Sequence, residues 1–170
     1  MKKIIRQHTI IAVRSISMFA FFIIAFGAKS FAQDSAQTSR LHKLLASYYT
    51  IKDAMVAGNN IAASEGAASF VKNINGISYQ LISEGNIQAL VKNASSIAEV
   101  KDIKLQRQLF VNFSSDMTKI AKALKMSSQP VFVQYCPMKK AYWLSNENAI
   151  KNPYYGSSML TCGKLTDTIK

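Results

Sequence analysis

Two cysteines and two methionines in the last third of the chain have the residue types and spacing of a soft-metal site. Cys136 is followed two residues later by Met138, Cys162 is preceded three residues earlier by Met159, and the chain has no other cysteine. Thiolate and thioether sulfurs are soft ligands, and such ligands select thiophilic ions such as Cu(I). Cys136, Met138, Met159 and Cys162 therefore predict a site for Cu(I) or Ag(I), held without redox chemistry by the protein.

The spacing of the four sulfurs restricts how they can meet. Cys136 and Met138 are two residues apart and share one face of a strand, whereas Met159 and Cys162, three apart, do not. All four sulfurs converge only if residues 159–162 form a turn, or if one methionine is not a ligand. A three-coordinate site of Cys136, Cys162 and Met138 is therefore the more economical version.

The amino terminus has the plan of a secretory signal peptide. A basic region up to Arg14 precedes an uncharged apolar stretch, residues 15–28, and small residues suited to a signal peptidase end at Ala32. The predicted signal is residues 1–32, with cleavage between Ala32 and Gln33. Because the apolar stretch is shorter than the ~20 residues of a membrane span, the mature chain is expected to be periplasmic or secreted, without a stable membrane span.

In an oxidising compartment the same two cysteines could equally form a disulfide. By chain-entropy reasoning, a bridge between Cys136 and Cys162 stabilises a small domain by roughly 3 to 4 kcal/mol. Met138 and Met159 would then be core residues, which is the commoner role of methionine. Residue chemistry alone favours the bridge over the metal site. The two are not exclusive, since a reducible bridge can release the ligands.

The first part of the mature chain predicts four amphipathic helices, because apolar residues recur there at three- and four-residue intervals. The predicted helices run from Leu41 to Met55, Ile61 to Ile74, Ile87 to Ile97 and Ile103 to Leu124. The residues predicted to begin the last three are Asn59-Asn60, Asn86 and Asp102. Short connections between such helices predict an antiparallel four-helix up-down bundle.

The pattern then changes, and residues 131–136 predict a short strand rich in β-branched and aromatic side chains. A second, less regular strand is predicted at 158–165, and 152–156 has the composition of a turn. If these strands pair antiparallel, the two cysteines lie opposite one another. The mature chain is predicted to be one mainly α domain, 33–170, whose bundle is capped by a short C-terminal β/turn segment with the Cys/Met motif at 130–165.

Charge and composition argue against nucleic-acid binding and against catalysis. The net charge falls from +12 to +7 once the five basic residues of the predicted signal are removed, and the remaining lysines are scattered. A nucleic-acid footprint needs them clustered on one face. His42 is the single histidine of the mature chain, too few for a zinc cluster. The acidic residues are dispersed and the cysteines do not form a Cys-x-x-Cys pair, so the protein is predicted not to be an enzyme.

Four tail segments together resemble a known signature: Tyr135-Cys136-Pro137-Met138, Ala141 to Ser145, Ile150 to Gly156, and Met159 to Gly163. This signature resembles that of a secreted bacterial domain of unknown function, found free-standing or fused to the C-terminal end of periplasmic adaptor subunits of copper/silver efflux pumps. The resemblance covers nearly the whole mature chain. It implies a heavy-metal role for Cys136, Met138, Met159 and Cys162. Lys139-Lys140 departs from the expected pattern, because two cations oppose cation binding, although they can stabilise a thiolate.

Two functions of different classes follow from these observations. The first is a periplasmic soft-metal binding protein that buffers Cu(I) or Ag(I), or delivers it to an efflux adaptor or another envelope protein. The alternative is a metal-free interaction module, stapled by a Cys136–Cys162 disulfide. That module would present Trp143 and the Tyr154-Tyr155 turn to a protein partner in the periplasm or envelope.

Overall fold

Four amphipathic helices occupy the first part of the described chain, as the spacing of apolar residues predicts. In the computed structural model, which describes residues 35–170, the helices are α1 (35–57), α2 (Asn60–Ile74), α3 (Glu84–Glu99) and α4 (Ile103–Ala123). The predicted signal peptide, residues 1–32, and its cleavage site lie outside the described residues. Within the part of the chain that is described, no helix is both long and apolar enough to cross a membrane.

Side-chain caps fix the starts of two helices as predicted. The Asn59 side chain accepts a hydrogen bond from the Ala62 N–H at 3.0 Å at the start of α2. Asp102 caps α4 through two such bonds, at 2.7 and 3.0 Å, and its carboxylate suits the positive end of the helix dipole. The predicted cap Asn86 is wrong, because α3 already begins at Glu84 with Ser83 as its N-cap residue.

A small antiparallel sheet follows the helices. Its strands are β1 (Val131–Cys136), β2 (Ala141–Ser145) and β3 (Lys164–Ile169), in the order β2-β1-β3. The prediction of β1 is confirmed. The predicted strand at 158–165 is wrong in its bounds, because Gly156–Met159 form a 3-10 helix and β3 begins only at Lys164. The coarse prediction of a mainly helical domain with a C-terminal β segment is confirmed, with β2 as an additional strand.

Hydroxyl groups from the helices cover the free edge of β2. The Leu144 N–H donates to the Tyr48 hydroxyl at 3.0 Å, and Ser114 Oγ donates to the Tyr142 carbonyl at 2.9 Å. Tyr154 also donates its hydroxyl hydrogen to the Tyr142 carbonyl. Because an unpaired strand edge exposes backbone donors and acceptors, these side chains replace the neighbouring strand. They attach the sheet to α1 and α4.

The aromatic residues of the tail extend the helical core. Trp143 is 0 % exposed and Tyr154 is buried, and their rings meet edge-on at 6.0 Å. Tyr154 also packs at 5.9 Å against Phe110 of α4. The expectation that Trp143 and the Tyr154-Tyr155 turn are presented to a partner is therefore wrong for Trp143 and Tyr154, because burial of these large rings stabilises the domain itself, whereas Tyr155 is partly exposed.

Arg107 of α4 connects the end of α1 to the tail. Its Nε and Nη2 donate to the Met55 carbonyl at 3.2 and 2.7 Å, satisfying one of the acceptors that a helix end leaves free. Gly156 passes directly over this guanidinium, since a Cβ there would lie 2.2 Å from Nη2, and its φ is +57°. Only glycine fits such a position without strain, so the segment before β3 is fixed against the helices.

Candidate soft-metal site

The two cysteines lie at neighbouring ends of β1 and β3. Cys136 is the last residue of β1 and is 0 % exposed, whereas Cys162 is partly exposed in the turn before β3. In the β1–β3 pairing Tyr135 stands opposite Lys164. The next residue of β1, Cys136, therefore lies beside the turn that carries Cys162. Both cysteines are free thiols in this structure.

The pKa of the Cys162 thiol depends on both its burial and Cys136. Partial burial raises the pKa of the Cys162 thiol above its ordinary value, and Cys136 raises it further through its charge and a side-chain hydrogen bond. A like charge disfavours ionisation of its neighbour only at short range. The direction of this shift agrees with the strand register, which places Cys136 beside the turn that carries Cys162.

The turn required for convergence of the sulfurs is present. The Cys162 N–H donates to the Met159 carbonyl at 3.1 Å, which closes a turn over residues 159–162. This turn removes the objection that Met159 and Cys162 would lie on opposite faces of a strand. Met138, in contrast, is 64 % exposed in the connection between β1 and β2, so its thioether is not enclosed with the buried Cys136 sulfur.

Asn152 is the residue that joins the two cysteines. Its Nδ2 donates to Cys136 Sγ at 3.2 Å and to the Cys162 carbonyl at 2.6 Å. The Lys139 N–H donates to the same sulfur at 3.4 Å, within the turn in which Lys140 has φ +54°. The Cys136 sulfur thus accepts two N–H groups, one from a side chain and one from the main chain.

Gly163 allows the chain to pass close to the core at the site. A Cβ at this position would lie 2.7 Å from Trp143 Cη2 and 3.1 Å from the Tyr135 carbonyl oxygen. Real Cβ atoms do not approach a rigid buried ring so closely. Glycine after Cys162 therefore permits the short distance between this turn and β1.

Other metal chemistry finds little support in the described residues. Among residues 35–170, no group of three or more His, Cys, Asp or Glu side chains could hold a metal ion. His42 is exposed on α1, as the sequence predicts for a surface imidazole. The candidate site is therefore a dithiol, with the thioethers of Met138 and Met159 as additional donors.

The fold and the site together define a mainly helical domain whose small C-terminal sheet carries a hydrogen-bonded dithiol. Residues 44–129 match the model of a family described as Protein of unknown function (DUF3347), which covers half of the chain. The chain belongs to this family. The match begins in α1 and ends before β1, so the tail with both cysteines lies beyond the matched residues. Neither the curated proteins nor the solved structures gave a match to this chain.

Proposed function

We propose that this protein is an exported soft-metal binding protein that holds Cu(I) or Ag(I) between the sulfurs of Cys136 and Cys162. The observation that carries the proposal is the contact of both cysteines with one buried amide, that of Asn152. Thiolates are the ligands that Cu(I) prefers. The thiols must lose protons to bind an ion, so loading of the site releases protons.

The charges at the site are consistent with a monovalent ion. Two thiolates and one Cu(I) leave a net charge of about one negative, by simple ligand arithmetic. The adjacent Lys139 and Lys140 then face a net anion, so they stabilise the loaded site and do not oppose it. The same lysines would repel an ion bound by neutral thioethers alone.

The two methionines belong to the proposal as additional donors at the rim of the dithiol. Met138 is exposed and Met159 is partly exposed, so each contributes less to retention of the ion than either cysteine. Export through the predicted signal at 1–32, a periplasmic location and the up-down order of the helices belong to the same proposal. So does delivery to an efflux adaptor or another envelope protein, and the protein acts as a carrier and not as an enzyme.

A second candidate function is favoured by the same proximity of the cysteines. A Cys136–Cys162 disulfide in an oxidising compartment would staple the sheet, and the domain would act as a metal-free interaction module. Its partner surface would be the outer face of the sheet, where Tyr142 is 45 % exposed and its ring lies tilted against that of Tyr135, with the centroids 4.7 Å apart. Such aromatic pairs are favourable contacts for a protein partner.

Competition for Cu(I) with a chromophoric chelator under anaerobic conditions tests the metal proposal. Cys136→Ser combined with Met138→Leu should weaken Cu(I) binding by at least about a hundredfold, since a thiolate and a thioether are lost. Met126→Leu is the matched control, because Met126 is a buried core methionine that lies outside the Cys/Met motif at 130–165. Equal Cu(I) affinity in the wild type and the double variant would refute the proposal.

Unfolding measurements on single and double cysteine variants test the second candidate. If a disulfide staples the domain, Cys136→Ser and Cys162→Ser each lose the whole bridge, so their destabilising effects are equal and strongly non-additive. Additive losses in the protein purified without reductant would rule out the staple.

A further inference from the structure

Among residues 35–170, Asn152 is the one side chain that contacts both cysteines through hydrogen bonds. It is 0 % exposed, and one amide nitrogen reaches the sulfur of Cys136 and the main chain of Cys162. This nitrogen therefore links the Cys136 sulfur to the main-chain carbonyl of Cys162. We propose that Asn152 is a positioning residue of the dithiol, holding the sulfurs at the separation at which one soft ion, or one disulfide bond, can join them. The metal part of this inference rests on the proposed function.

The orientation of the Asn152 amide is fixed by its other contacts. Its Oδ1 accepts a hydrogen bond from the Tyr154 N–H at 2.9 Å. Since an N–H group can face only the oxygen of the amide, Nδ2 must point to the cysteines. The backbone is held as well, because the Asn152 N–H donates to the Leu160 carbonyl at 2.8 Å and its carbonyl accepts from Gly156 at 3.0 Å.

The chemistry of the site requires an amide at this position. Two N–H donors and one acceptor are needed on one short side chain, and asparagine supplies all three. A serine hydroxyl can still accept from the Tyr154 N–H, as in the turns that serine forms two residues back. It is too short to reach both cysteines. Asn152→Ser therefore keeps the hydrogen bond from the Tyr154 N–H but removes the hydrogen bonds to the two cysteines.

The effective concentration of the two thiols measures their positioning without any metal. In equilibrium with glutathione disulfide, the Cys136 and Cys162 thiols form one protein disulfide bond and the S–S bond of glutathione disulfide is broken. Two electrons and two protons pass from the protein to give two molecules of reduced glutathione. The ratio of disulfide to dithiol protein at known glutathione concentrations gives the effective concentration.

Asn152→Ser and Asn152→Leu should each lower this effective concentration about tenfold, the value expected for loss of the hydrogen bonds to the two cysteines. Gln134→Leu is the matched control. Gln134 is also a buried amide of the sheet, and its Nε2 donates to three loop carbonyls at 3.0 to 3.2 Å, none of them from a cysteine. This control should stay within about twofold of the wild type, because a structural loss alone leaves the sulfurs in place.

The outcomes separate the inference from the proposed function. A folded Asn152→Ser protein with wild-type effective thiol concentration overturns the inference, whatever its Cu(I) affinity. An equal loss in Gln134→Leu overturns it too, because the effect would then be general. A tenfold loss confined to the Asn152 variants supports the inference. If the wild type then fails to bind Cu(I) at all, the positioning role stands and the metal function fails.

Discussion

Tyr48→Phe removes the hydroxyl that attaches β2 to the helices. With one hydrogen for each hydroxyl, the order of donation is fixed: the Leu144 N–H donates to Tyr48, Tyr48 donates to Ser114 at 2.5 Å, and Ser114 donates to the Tyr142 carbonyl. Burial raises the pKa of Tyr48 far above its ordinary value, so this hydroxyl keeps its proton at neutral pH. Phenylalanine keeps the ring contacts, because they involve Phe110 at 5.6 Å and its neighbours.

The expected loss of stability follows from the hydrogen-bonding groups that lose the Tyr48 hydroxyl. Ser114 keeps its bond to Tyr142, whereas the buried Leu144 N–H loses its partner on the edge of the sheet. An orphaned buried donor costs about 1–3 kcal/mol, so the free energy of unfolding should fall by ~2 kcal/mol. At a typical urea dependence of ~2 kcal/mol per molar, the unfolding midpoint falls by about 1 M.

Equilibrium unfolding in urea, followed by the fluorescence of the single tryptophan, Trp143, measures this change. Tyr49→Phe is the matched control. The Tyr49 hydroxyl is buried and has no hydrogen-bond partner among the described residues, so its removal should leave stability unchanged or raise it by up to ~1 kcal/mol. Equal midpoints for the Tyr48 and Tyr49 variants would refute the account of how the sheet is attached.

Three further predictions concern the core, the site and its titration. Gln106→Leu should lower the free energy of unfolding, measured in urea, by ~3 kcal/mol. The reason is that the Gln106 Nε2 lies within 3.2 Å of four oxygens of α2 and the end of α3. Wild-type stability of this variant would contradict the prediction. Gly163→Ala should cost ~2 kcal/mol through its clash with Trp143, seen as a lower melting temperature, and an unchanged melt would argue against the close packing. The pH dependence of Cys162 alkylation by iodoacetamide should shift to lower pH in the Cys136→Ser variant, since the raised pKa of Cys162 depends in part on Cys136. An identical pH profile would count against the proximity of the two cysteines.

The raised pKa of Cys162 also makes the stability of the folded protein depend on pH. Because the pKa of Cys162 is raised in the folded state, the folded protein keeps its proton to higher pH than the unfolded chain. The stability from this group is full below the unfolded-state pKa and is lost as the pH rises through the folded-state pKa.

The helices could be predicted because their signals are local. The apolar periodicity and the caps Asn59 and Asp102 lie within a few residues of the helix starts that they determine. β2 was missed because it lacks alternation: Trp143, Leu144 and Ser145 are all buried in succession, since both faces of this strand are covered. β3 was displaced because its residues are mostly exposed, and an exposed edge strand carries little hydrophobic pattern.

Some parts of the site could also be predicted from local sequence, whereas others depend on the tertiary structure. The soft donors could be named from residue type, and the turn at 159–162 from the need for convergence. The role of Asn152 could not be predicted, because the Asn-Pro sequence at 152–153 indicates only a turn. Its contact with Cys136 depends on the pairing of β1 with β3 and on Gly156 lying against Arg107, which are properties of the whole fold.

The intact native mass of the mature protein tests the central proposal most directly. The protein is purified from the periplasm without reductant and then exposed anaerobically to Cu(I). The proposed function predicts free thiols at Cys136 and Cys162 and one tightly retained copper ion per chain. A mass lower by two hydrogens, unchanged by Cu(I), would contradict it and establish the disulfide in its place.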